Sequence, residues 1–148
     1  MKKLWKPGHS VMLSLVTTCV GAGFLLLLMF TAPAVLKTID DDPLFLRVMT
    51  AIFYGCCPAG WLAIAALLKL LHNIRKGLVF TRENVRMLRI LSWCFIFVTL
   101  VSLGAFVTMY LPMLYVFLGS GFMAVILRVV KNVMEQATIM REEQELTI

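Results

Sequence analysis

Residues 90–127 read ILSWCFIFVTLVSLGAFVTMYLPMLYVFLGSGFMAVIL, a stretch of 38 residues without a charged side chain. A single helix of this length would extend about 57 Å, nearly twice the ~30 Å thickness of the hydrocarbon core of a bilayer. The stretch therefore predicts two transmembrane helices that fold back on each other, at about residues 90–109 and 113–127. We expect the turn at Tyr110, Leu111 and Pro112, because proline disfavours helix at the preceding residue and tyrosine favours the membrane interface.

Two more apolar stretches lie before this pair. Residues 11–36 carry no charge and exceed the short apolar region of a cleavable signal peptide, so they predict a transmembrane helix. Residues 48–68, between Arg47 and Lys69, predict another, with Pro58 inside it. The expected fold is a single domain over residues 1–148, which is all-α and forms an integral membrane bundle of four transmembrane helices.

The composition agrees with a membrane protein. Hydrophobic residues make up 61% of the chain and charged residues only 15%, and the mean hydropathy is +0.91. A soluble domain of this size has too little interior to bury so much apolar surface. The net charge of +6 is divided among segments between apolar stretches, so it favours contact with the lipid bilayer and argues against direct nucleic-acid binding.

The basic residues are distributed unequally between the two sides of a four-span chain. Cytoplasmic segments of membrane proteins carry an excess of Lys and Arg. Twelve of the 14 basic residues lie in the N-terminal segment, the connection at 69–89 and the tail at 128–148, which would share one side. The other side has only Lys37 and Arg47 beside three aspartates. We therefore predict a multi-pass membrane protein with both termini in the cytoplasm.

The connection at 69–89 shows the signals of a helix end followed by a helix start. Gly77 is expected as a left-handed cap of the second helix, and Thr81 as the N-cap of the third, with Glu83 in its first turn. Three arginines spaced by four and three residues then share one face of the third helix. This basic stripe, which we define as Arg82, Arg86 and Arg89, would contact lipid headgroups or dock an acidic partner segment.

The tail at 128–148 combines a helical pattern with an acidic end. Its acidic residues are Glu142, Glu143 and Glu145. The sequence leaves three interpretations open: a solvated helix end, an electrostatic contact with the basic stripe, or a contact with a separate protein. An exposed contact of this kind would be weak and readily exchanged between partners.

Two short motifs carry a resemblance to a known family. Residues 77–84 read GLVFTREN and the chain ends in ELTI. The chain resembles the YoaS-like small bacterial four-helix membrane proteins, a domain of unknown function with a G-x-x-F-x-x-x-N connection and an acidic tail ending in L-T-I. The matching residues are Gly77, Phe80, Asn84, Leu146, Thr147 and Ile148. Because members are often encoded beside a Cro/CI-type helix-turn-helix regulator, the resemblance implies a cytoplasmic regulator as partner.

No pattern of catalytic or metal-binding residues is present in the sequence. Cys19, Cys56, Cys57 and Cys94 lie in apolar stretches and form no CxxC pair, which argues against a zinc site or a disulfide oxidoreductase. The predicted spans contain no ionisable Asp, Glu, Lys, Arg or His, so proton-coupled transport lacks its usual titratable group. We expect no enzyme activity, no catalytic residue, no cofactor and no metal.

Hydroxyl and small residues within the spans have two interpretations. They could bind a ligand among the helices, or they could form hydrogen bonds and close contacts between helices. The hydroxyl residues concerned are Thr17, Thr18, Ser92, Thr99 and Ser102. Gly119, Ser120 and Gly121 favour close approach of the fourth helix to a neighbour.

These observations lead to one functional prediction and one alternative. We expect a non-enzymatic protein of regulatory or interaction type, which sequesters or modulates a small helix-turn-helix regulator through its cytoplasmic face. The alternative is a small-molecule or lipid sensor, or a transporter subunit, with a site among the helices. A second copy of the chain, in a homo-oligomer, is a further candidate partner.

Overall fold

The computed structural model of the chain describes residues 7–108 and 111–147, and within them it contains four helices and no strand. The helices are α1 Pro7–Ile39, α2 Pro43–Arg75, α3 Arg82–Thr108 and α4 Met113–Leu146. All four are long and apolar enough to cross a membrane. The prediction of an all-α protein with four transmembrane helices is therefore confirmed.

The turn between α3 and α4 lies where the sequence predicts it. Helix α3 ends at Thr108 and α4 begins at Met113, with Leu111 and Pro112 in a turn. Met109, the predicted end of the third span, and Tyr110, the expected interface residue, lie outside the described residues. The long apolar stretch thus forms two helices, because one straight helix would exceed the bilayer thickness.

A short acidic connection joins α1 to α2. The Asp42 side chain is the N-cap of α2 and accepts a hydrogen bond from the Leu44 backbone N–H at 3.3 Å. Pro43 follows at the first helical position. A backbone N–H there has no partner within the helix, so a proline at this position costs no hydrogen bond. Asp40 supports the same turn by accepting from the Asp42 N–H at 3.0 Å.

The helices extend beyond the apolar spans that the sequence marks. Pro33 and Pro58 lie inside α1 and α2 without ending them. Helix α4 has 34 residues and continues for 19 of them beyond Leu127, which corresponds to about 28 Å. The predicted spans therefore lie within longer helices, because the onset of charge does not by itself end a helix.

Each helix packs antiparallel against its neighbours in the chain. Among the described residues, the backbones of non-consecutive helices do not come into contact, and the α3–α4 contact is the most extensive. The antiparallel order brings the start of α1, the end of α2, the start of α3 and the end of α4 to the same end. We call this the basic end; it contains Arg75, Lys76, Arg82 and Arg86.

The buried apolar cluster lies at the opposite end, near the acidic connection. Phe45 and Met49 of α2 and Ala105 of α3 are buried there. Partly buried side chains from α1, α2 and α4 pack around them, namely Leu36, Ile52 and Met113. Many large apolar side chains elsewhere are exposed, among them Phe30 at 84%, as expected of a surface covered by lipid.

Small and hydroxyl residues join α3 to α4 within the membrane-crossing part. The Thr99 hydroxyl donates to the Ser120 hydroxyl at 2.9 Å, and the Ser92 hydroxyl donates to the Ala124 carbonyl at 3.4 Å. An added Cβ at Gly121 would lie 3.4 Å from Thr99, whereas Gly119 faces open space. Close approach is thus confirmed for Ser120 and Gly121 but is wrong for Gly119, which lies on another face of the helix.

Candidate functional site

The basic end is built on a tight connection between α2 and α3. Gly77 adopts a φ of +79°, a conformation that a residue with a side chain rarely takes. Its N–H donates to the Ile74 carbonyl at 3.0 Å, and the Leu78 N–H donates to the Asn73 carbonyl at 3.0 Å. These two bonds form a Schellman motif, so the predicted left-handed cap at Gly77 is confirmed.

Asn84 holds this connection from inside. Its side chain has no exposed surface, and its amide nitrogen donates to the carbonyls of Leu78 at 2.7 Å and Val79 at 2.8 Å. Its side-chain oxygen accepts from the Asn73 amide at 2.9 Å. Asn73 is also buried. The sequence did not predict this role, because asparagine is common near helix ends. The two asparagines thus link the end of α2, the connection and the start of α3 by hydrogen bonds.

The start of α3 follows the predicted capping pattern. The Asn84 N–H lies 3.4 Å from the Thr81 hydroxyl oxygen, as expected of an N-cap. Glu83 in the first turn pairs with Lys69 of α2 at 2.7 Å and accepts from Asn73 at 3.3 Å. The hydrogen bond from Lys69 is the main cause that lowers the pKa of Glu83, which lies outside the uncharged spans. Phe80 is exposed beside this cap.

The basic stripe contacts the extension of α4. The Arg82 guanidinium donates two hydrogen bonds to the Glu142 carboxylate, at 2.9 and 2.7 Å. These bonds are also the main cause that lowers the pKa of Glu142. Arg89 lies 3.7 Å from Glu135, which in turn pairs with Lys131 at 2.9 Å. Within the chain, α4 therefore runs along the stripe and carries its acidic groups to it.

Arg86 differs from the other two arginines of the stripe. It is exposed and forms no ion pair with any residue that the structure describes. It lines a cleft of about 480 Å³ between α3 and α4. The other lining residues are Arg82, Val85, Arg89, Glu135, Thr138 and Ile139. We call this space the stripe cleft; it combines an available cation with apolar and hydroxyl walls.

The acidic residues of the tail are used differently from one another. Glu142 contacts the stripe, while Glu145 pairs within its own helix with Arg141 at 3.1 Å. Glu143 is exposed and forms no ion pair within residues 7–108 and 111–147. Helix α4 ends with Leu146 exposed at 87% and Thr147 as its C-cap. Ile148, the last motif residue, lies outside the described residues.

The structure gives no sign of a metal centre in the described part of the chain. No group of three His, Cys, Asp or Glu side chains comes together there in a way that could hold an ion. Cys19, Cys56, Cys57 and Cys94 are free thiols. Within the described residues, the α3–α4 surface just described combines charged side chains with a cleft and is the candidate site.

Comparison with known proteins gives a family and no more specific relative. No curated protein and no solved structure matches the chain. The family described as "Protein of unknown function (DUF2975)" matches residues 11–148. The chain belongs to that family.

Proposed function

We propose that this chain is a non-enzymatic regulatory protein of a bacterial plasma or inner membrane, and that its basic end lies in the cytoplasm and binds a soluble protein. The partner is a small helix-turn-helix regulator of the Cro/CI type, as the family resemblance implies. Binding would hold the regulator at the membrane and thereby keep it from DNA.

The stripe cleft is the observation that carries this proposal. It lies outside the uncharged spans, on the part of α4 that extends about 28 Å beyond Leu127. Arg86 presents a guanidinium there that no described acidic side chain neutralises. Val85 and Ile139 add apolar walls, so the cleft suits a partner segment with one carboxylate beside an apolar side chain.

The Arg82–Glu142 ion pair could be replaced by an ion pair between Arg82 and the partner. Both side chains are solvent-exposed to a large extent, at 80% and 41%, so salt and water screen their attraction. An acidic segment of the partner could replace Glu142 at Arg82 with little net cost. Binding by exchange would then release the end of α4 from the stripe.

Co-purification from membranes tests the proposal. The chain would be expressed with a tagged Cro/CI-type regulator encoded beside it, and the amount of chain recovered on the tag would be measured after detergent extraction. We expect recovery from the wild type, and a loss of about tenfold or more for Arg86→Glu, because like charges across an interface repel strongly. Arg47→Glu makes the same charge change at the opposite end and should bind like the wild type.

Two results would count against a partner surface at the stripe cleft. One is that no cytoplasmic protein is recovered with the wild-type chain. The other is that Arg86→Glu binds as well as Arg47→Glu. The alternative function, a sensor or transporter subunit with a site among the helices, is less favoured, because Ser92 and Thr99 use their hydroxyls in α3–α4 contacts.

A further inference from the structure

A second, smaller cleft lies between α3 and α4 at the level where charge first appears. Arg89 and Arg128 directly flank the uncharged residues 90–127, so they mark the edge of the hydrocarbon. The cleft at this level has a volume of about 260 Å³. It is lined by Arg89, Ser92, Trp93, Arg128, Lys131 and Asn132. We call it the rim cleft.

Positive charge predominates around the rim cleft. Three of its six lining side chains are cationic, and the nearby carboxylate of Glu135 neutralises only part of that charge. Glu135 pairs with Lys131 and lies near Arg89, but it does not line this cleft. Lys131 is held in place, with 18% of its side chain exposed. The Arg128 guanidinium lies 5.7 Å from the centre of the Trp93 ring, which limits its freedom.

We propose that the rim cleft binds the phosphate group of an anionic phospholipid. Arginine and lysine are the usual donors to phosphate, and the planar arginine fork matches two phosphate oxygens. The cleft is smaller than the roughly 300–1,000 Å³ of a site for a whole drug-sized ligand, so it suits a headgroup. The acyl chains would lie outside, along the exposed face of Trp93, an aromatic residue of the kind that favours this depth.

The position of the rim cleft favours a lipid phosphate over a soluble phosphate. The cleft opens at the depth of the lipid phosphates, on the end of the molecule that carries most of the basic residues. A phosphate there would be supplied by the surrounding leaflet at high local concentration. This inference goes beyond the proposed regulator and does not depend on it, since Arg86 does not line the rim cleft.

Lipid titration of the full chain tests the inference. The delipidated protein in neutral detergent would be titrated with phosphatidylglycerol and, separately, with phosphatidylcholine, and bound lipid would be counted by native mass spectrometry. We expect preferential binding of phosphatidylglycerol, with an apparent Kd that rises about tenfold or more in Arg128→Gln/Lys131→Gln. Arg75→Gln/Lys76→Gln removes the same charge at the basic end but outside the cleft, and should bind like the wild type.

Each of the following outcomes would overturn the assignment of the rim cleft as a lipid-binding site. Equal losses in the two double variants would mean that the basic surface attracts lipid without a site. Equal binding of the two lipids would exclude recognition of an anionic headgroup. Inorganic phosphate tests the soluble source. If it binds at Arg128 and Lys131 while phosphatidylglycerol binds no better than phosphatidylcholine, the cleft binds phosphate from the aqueous phase. Should the double variant aggregate, Arg128→Gln alone replaces it, with Arg75→Gln as its control.

Discussion

At the scale of single residues, two of the residues that carry the sequence resemblance have a structural explanation. Gly77 is required by the positive φ of the α2 cap, and Asn84 satisfies two backbone carbonyls and the amide of Asn73. Both residues set the geometry of the connection on which the basic stripe begins. These two residues therefore shape the connection between α2 and α3. The side chains that a partner would contact are other residues of the same surface.

Replacing Asn84 is expected to destabilise the basic end. In Asn84→Ala the carbonyls of Leu78 and Val79 and the amide of Asn73 lose their buried partner, at a cost of about 1–3 kcal/mol in the free energy of unfolding. Thermal or denaturant unfolding in detergent would measure it. Asn132→Ala changes an exposed asparagine and serves as the control. Equal stability of the two variants would show that the Asn84 network contributes nothing.

Substituting Gly77 tests the cap itself. Gly77→Ala forces a side chain into the left-handed region and should lower the free energy of unfolding by roughly 1–2 kcal/mol. Gly119→Ala is the matched control, because it lies in a helix with no atom within 4 Å of the added carbon. That change should be neutral or stabilise by up to ~1 kcal/mol. A harmless Gly77→Ala would contradict the Schellman cap.

At the scale of elements, the sequence predicted where helices cross the membrane better than where they end. The length of the uncharged stretch predicted that a turn is needed, and Pro112 located it at Leu111 and Pro112, because proline acts locally. The course of α4 beyond Leu127 depended on what its charged residues contact, and local pattern left three interpretations open. The hydrogen bonds between Arg82 and Glu142 arise from the α3–α4 packing, which no sequence period specifies.

A charge exchange tests that long-range pair. We expect Arg82→Glu to separate the start of α3 from the end of α4, because two carboxylates would then face each other. Arg82→Glu/Glu142→Arg restores opposite charges and should restore the contact. The distance between spin labels at residues 78 and 147 reports the change. If the double variant remained as open as the single one, the pair would not hold the tail.

At the scale of the whole molecule, the charge distribution predicted four spans, but it did not predict the serial packing. In lipid, apolar side chains gain little by leaving the bilayer for a neighbouring helix, so the apolar pattern does not specify helix partners. Association relies on small and hydroxyl residues instead, as at Thr99 and Ser120. Such contacts contribute only about 0.6 kcal/mol each on average. In the apolar window of α1, no residue is buried against the rest of the chain.

Labelling of single cysteines in intact cells tests the account most directly, because the proposed partner surface requires the basic end to face the cytoplasm. The variants Asp41→Cys, Leu78→Cys and Thr147→Cys would be made after replacing the four native cysteines by alanine. A membrane-impermeant maleimide should label residue 41 in intact cells, and residues 78 and 147 only after permeabilisation. Labelling of residue 78 or 147 in intact cells would contradict the topology and, with it, the proposed partner surface.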